Sequence, residues 1–170
     1  GEGPVETLAG GVKAALDAAD GVRAKASRPV MGTSAATVPA ANAITPGPIE
    51  SSLGVKGQTQ DGMFKAVIGR TASMACGCTV GKEMGVNTWI ALAGSDERAL
   101  VDGDFVTFGA ELQPVLKALR SRGISVVAIH SHMEGEDPKA IFLHYWGVGR
   151  AADLVSGVRA ALDAQAAAGA

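Results

Sequence analysis

Residues 124–129 (ISVVAI) are apolar or small throughout, β-branched at four of six positions, and follow a segment with helical patterning. No other stretch constrains the fold as tightly. Such a run fits a buried strand. Before it, residues 111–122 place Leu112, Val115, Leu116 and Leu119 at helical spacing, and Gly123 supplies a C-terminal stop. A strand at 105–108 precedes that helix, so strand–helix–strand over 105–129 requires a crossover connection, expected to be right-handed. Strands are also expected at 63–68, at 86–93 around Trp89, and at 140–146. Asp102-Gly103-Asp104 has turn chemistry and is expected to separate 99–101 from 105–108. A short helix opening near Pro48 and stopped at Gly54, and a closing helix over 151–164 with Leu154, Val158 and Leu162 on one face, complete the set. The expectation is an α+β fold: a mixed, mostly antiparallel sheet with helices covering one face, a two-layer sandwich.

The N-terminal part carries a second pattern. Residues 5–19 form a helix-type stripe through Leu8, Val12, Ala15 and Leu16, and residues 25–47 are rich in Ser, Thr, Ala and Pro without sustained period. Residues 1–18 align without gaps to residues 147–164, with ten identities in eighteen, including Leu8 with Leu154 and Asp17 with Asp163. Ala-rich helices converge by composition, but the matched glycines make shared ancestry the better reading. The N-terminal helix is then the tail of a preceding copy, or a stand-in within a pseudo-symmetric arrangement. The expected organisation is a helix over 1–24, a linker or extended segment over 25–47, and one domain over 48–170.

Composition narrows the function. Fifteen Lys+Arg against seventeen Asp+Glu, a net charge of −2 and the lack of any basic block argue against a nucleic-acid surface. No apolar run is long enough to span a bilayer. The chain opens at Gly1 and offers no leader to read.

Chemistry concentrates late in the sequence. All three histidines, His130, His132 and His144, fall within fifteen residues. Two-residue spacing puts His130 and His132 on one face of an extended chain. If residue 130 pairs with 144 across a hairpin, and 132 with 142, the three imidazoles converge and can bind a divalent metal with one position open. A lone histidine at a strand end is usually structural; three together argue for ligation. Cys76-Gly77-Cys78 holds both cysteines. Their thiolates are candidate soft ligands, and the alternative is a strained, easily reduced disulfide. Met74, Met84 and Met133 are nearby, though methionines are more often packing. Glu136, in the acidic loop 134–137, is the candidate general base toward a metal-bound water. Phe142, Tyr145 and Trp146 surround His144 as pocket wall or core, whereas Asp102, Asp104 and Lys82 fit turns and surface better than catalysis.

The segments MGVNTWIALAG, ALVDGDFV, ELQPVLKALRSRGISVVAIHSHM and EDPKAIFLHYWG, with a looser match at IESSLGVKGQTQDGMFKAVIGR, resemble the LppY/LpqO-like (DUF1259) family of bacterial exported proteins. The resemblance carries over His130, His132, Glu136, Pro138 and His144, and implies a periplasmic or extracellular location. It implies no substrate, and Cys76 and Cys78 are not part of its general pattern. The expected function is that of an exported metal-binding protein acting in binding, sensing or detoxification, with copper or zinc held by His130, His132 and His144 and Cys76 and Cys78 completing or capping the site. The alternatives are a metal-dependent hydrolase with Glu136 as base, and a non-catalytic interaction module. The partners expected are the metal ion and, at most, a second copy as a homodimer.

Overall fold

The computed structural model describes residues 2–25 and 39–169; the greater part of the expected linker lies outside them. The chain divides into two units, residues 1–35 and 36–170. The first contains helix α1 (Val5–Lys25), six residues longer than its apolar stripe indicates.

The second unit holds α2 (Pro46–Leu53), β1 (Gly57–Gln60), β2 (Met63–Gly69), β3 (Ala72–Met74), β4 (Thr79–Val80), β5 (Asn87–Gly94), β6 (Ala99–Phe108), α3 (Leu112–Ser121), β7 (Ser125–His130), β8 (Glu136–Asp137), β9 (Ala140–Gly149) and α4 (Ala151–Ala168). Six strands form one sheet in the order β1-β2-β5-β6-β9-β7, and a small sheet runs β4-β3-β8. This is the expected α+β class. Every paired strand among the described residues is antiparallel to its neighbour. The crossover through α3 leaves β6 and β7 parallel, but β9 enters between them and pairs antiparallel with both.

Period-2 alternation decides what each sheet face meets. Phe64 and Ala66 on β2, Ile90 and Leu92 on β5, Val101 and Phe105 on β6, and Leu143 and Tyr145 on β9 point to one face. There they bury against Ile49 and Leu53 of α2, Val115 and Leu119 of α3, and Leu154, Val155, Val158, Ala161 and Leu162 of α4. Each fully buried Leu, Val or Phe contributes roughly 1.5–3 kcal/mol, so this face is the main source of stability. Val106 and Phe142, of opposite parity, join Ala72, Val80, Val86 and Ala140 in a second cluster with the small sheet, where Met74 and Met133 pack. Met74 and Met133 therefore serve packing, whereas Met84 is exposed.

The structure corrects the expected turn at Asp102-Gly103-Asp104. These residues lie mid-strand in β6, opposite Ala91, Ile90 and Trp89 on one side and Trp146, Tyr145 and His144 on the other. Gly103 is there because the Tyr145 ring crosses it: a Cβ would overlap the Tyr145 phenol carbon and oxygen and the Trp89 carbonyl. The Tyr145 hydroxyl donates to the Trp89 oxygen at 2.9 Å. Burial, then the charges of Asp102 and Asp104, push this phenol far above its ordinary value, so it remains a neutral donor. Gly103→Ala is expected to destabilise the domain by about 1–3 kcal/mol, read as a lower denaturant midpoint at unchanged m-value.

Candidate metal centre

β6, β9 and β7 lie side by side; residues of even number on β6 and β9, and Ala128 and His130 on β7 beyond its bulge, face away from the helices, whereas Val126 before the bulge packs toward them. The register places Asp104 opposite His144, Ala128 opposite His144, and His130 opposite Phe142. The expected pairing of 130 with 144 is thus displaced by two residues. A two-residue displacement keeps side-chain parity, so His130 and His144 still share the outer face. A β-bulge between Val126 and Ala128 sets this register.

Asp104, nearly buried, presents Oδ2 to two imidazoles at the end of β7. Oδ2 lies 3.3 Å from His130 Nε2 and 3.3 Å from His132 Nε2, and the two Nε2 atoms are 3.1 Å apart. Each edge of the triangle has hydrogen-bond length, but three such edges are difficult to satisfy at once. Each Nε2 holds at most one hydrogen and Oδ2 holds none when ionised. Ligand atoms about 2.0–2.2 Å from one ion, at angles near 90–110°, stand roughly 2.9–3.5 Å apart. The spacing fits that geometry. Asp104 Oδ1 is buried without a hydrogen-bond partner, as is His130 Nδ1, and an orphaned carboxylate oxygen is costly unless a cation compensates it.

Packing holds the imidazoles in place. The His132 ring stacks on Phe142 at 3.5 Å between centroids and 10° between planes, and His130 leans on the same ring at 5.8 Å. Both histidine side chains remain about one-third exposed, 35% and 33%, so solvent reaches the nitrogens.

His144 does not join this group. Its Nε2 pairs with Asp102 Oδ1 at 3.0 Å, and its ring meets the edge of Trp89 at 6.2 Å. Lys65 Nζ lies 4.7 Å above Trp89. The outer face therefore carries a His–Asp pair immediately beside the triangle. Among the described residues the ligand-type cluster is Asp104, His130 and His132.

Cys76 and Cys78 are joined to each other by a disulfide in the β3–β4 hairpin. In this form neither sulfur is a thiolate ligand. Glu136, on β8 opposite Met74, is buried, and its Oε1 accepts from the Ala140 N–H and the Lys139 ammonium, each at 3.2 Å. Its Oε2 has no partner. Burial alone would raise this carboxyl. The N–H groups of Glu136 and Ala140 and the Lys139 ammonium outweigh it and hold the group below the usual range. Glu136 is an ionised carboxylate outside the three-residue cluster.

Asp104 is the residue that sequence reasoning set aside. Its signal was the alternation through β6, where Val101, Gly103 and Phe105 face the helices and Asp102 and Asp104 take the other parity.

A family model described as Domain of Unknown Function (DUF1259) matches residues 47–164. No curated protein and no solved structure matches the chain.

Proposed function

The chain belongs to the family described as Domain of Unknown Function (DUF1259), and from that premise we propose that this member binds one divalent metal ion at Asp104, His130 and His132. The observation that carries the reading is the triangle of Oδ2 and two Nε2 atoms at 3.1–3.3 Å, with a buried carboxylate oxygen left unpaired beside it. Two imidazoles and one carboxylate are borderline-to-hard donors, suiting zinc or copper(II) rather than copper(I). His144, held by Asp102 on the same face, is the neighbouring group that a fourth ligand or a bound molecule would meet. The Cys76–Cys78 pair, as a disulfide, supports an oxidising compartment and hence a periplasmic or extracellular location.

A hydrolytic reading is favoured by one further observation: the His144–Asp102 pair stands beside the triangle on an accessible sheet face. A bound zinc ion would supply Lewis acidity there. His144 would accept a proton, with Asp102 fixing its orientation. Glu136, ionised but already engaged by Lys139 and Ala140, is the weaker candidate base.

Metal analysis of protein purified without an affinity tag tests the binding reading. The parent and the Cys76→Ser/Cys78→Ser pair are expected to hold about one zinc or copper per chain, and Asp104→Asn and His132→Ala well under a tenth. Equal metal content in all four contradicts it. Retention in the Asp104 and His132 variants with loss in the cysteine pair would move the site to Cys76 and Cys78.

A further inference from the structure

The repeat noted in the sequence acquires a physical meaning once the seat of α4 is known. Within residues 151–164, α4 buries Ala151, Leu154, Val155, Gly157, Val158, Ala161 and Leu162. At the aligned positions α1 has Val5, Leu8, Ala9, Gly11, Val12, Ala15 and Leu16. Five of the seven are identical, and the two that differ remain aliphatic. At the other seven positions of the same stretch, three are identical, Lys13 stands for Arg159 with its charge kept, and three change character: Glu6 for Ala152, Thr7 for Asp153 and Gly10 for Ser156. The match is concentrated on the surface that α4 buries.

Gly157 is the most telling position. A Cβ there would lie 2.8 Å from Ile124 Cδ1 and 3.0 Å from Arg122 Cβ, so any side chain makes both neighbours shift and a large one blocks the close approach of α4 to the start of β7. Its counterpart Gly11 would meet nothing within 4 Å. A mid-helix glycine costs roughly 1 kcal/mol relative to alanine, and α1 itself gives it no purpose. The purpose exists in a seat shaped like that of α4. The outward ion pair recurs too, as Lys13–Asp17 in α1 and Arg159–Asp163 in α4, each at i,i+4.

We propose that α1 is a closing helix for a second copy of this fold, its Val5-Leu8-Gly11-Val12-Ala15-Leu16 face packing on the sheet and α3 of that copy as α4 packs here. The partner is recognised by its chemistry: a sheet face of Val, Ile and Leu with a narrow notch at the α3–β7 corner that favours glycine over a larger residue. A single helix has nothing within itself against which to bury such a stripe, and this seat would supply the missing surface.

Among the described residues one such seat exists and α4 occupies it, so the test displaces α4. Three variants suffice: Gly11→Leu, Gly157→Leu and the double change, followed by thermal melting and by amide hydrogen exchange resolved to each helix. Gly11→Leu alone is expected to leave the domain's melting temperature unchanged. In Gly157→Leu, α4 amides should lose protection and α1 amides gain it, as α1 takes the vacated seat within the chain or between chains. Adding Gly11→Leu should abolish the α1 protection and lower the melting temperature by at least about 5 °C more. Protection of α1 that does not respond to Gly157→Leu, or a Gly11→Leu change that is silent in both backgrounds, overturns the proposal.

Discussion

Asp104→Asn is expected to weaken divalent-metal binding by at least about hundredfold while leaving the fold in place, as measured by calorimetric titration and circular dichroism. The change keeps the shape of the side chain and removes the charge that the ion would neutralise. His130→Ala and His132→Ala should each lose a comparable amount. Any two changes together should cost little more than one, because a site with one ligand gone is already defective. His144→Ala serves as the contrast. It sits outside the triangle, paired with Asp102 at 3.0 Å, and should cost no more than the roughly 10–100-fold typical of outer-shell groups. A bound ion should also stabilise the native chain: at a free concentration a hundred times the Kd, by about 2.7 kcal/mol, read as a higher melting temperature that chelator reverses.

The largest effect on stability is expected at Glu111. This carboxylate is buried at the start of α3 and ties three elements together: Oε1 accepts from Arg70 Nη2 at 2.9 Å, and Oε2 accepts from the Phe108 N–H at 2.9 Å and from Gln165 of α4 at 2.8 Å. Burial alone would raise its pKa. The Arg70 guanidinium, the Phe108 amide and Gln165 reverse that and hold it below the ordinary carboxylate range. Glu111→Ala leaves a partly buried guanidinium and an amide unpaired, a change expected to cost about 3–5 kcal/mol. The pH dependence has a definite sign. A carboxyl whose folded pKa lies below its unfolded value contributes its full stability above the unfolded value, near 4.5, and loses it as pH falls through the folded value. Urea midpoints of the parent and Glu111→Gln should therefore differ most at neutral pH and converge in acid. A constant gap down to the lowest pH at which the chain folds would contradict this role.

The elements legible in the sequence are those whose periodicity extends far enough to identify them. α3 shows its core face through Val115 and Leu119 and α4 through Leu154, Val158 and Leu162. The β-branched run identified β7 as a strand but not its place: it is the sheet edge, with Val127 and Ile129 exposed rather than buried. The short strands β1, β3, β4 and β8 have two to four residues each. β1, β4 and β8 are edge segments, β1 polar throughout, and β3 is three residues between β4 and β8; runs this short become strands only through their neighbours. Asp104 was obscured differently. Asp-Gly-Asp normally signals a turn, and only the Tyr145 ring lying over Gly103 shows why the strand runs straight through it. The cluster around His130 and His132 was legible because two-residue spacing at a strand end fixes a shared face. The place of His144 was not, because the bulge after Val126 sets a register that local sequence does not encode.

Anomalous diffraction from crystals soaked in zinc tests the central claim most directly. The account predicts one peak per chain within about 2.0–2.2 Å of Asp104 Oδ2, His130 Nε2 and His132 Nε2. Zinc on other side chains, with those three atoms free of it, would contradict the account.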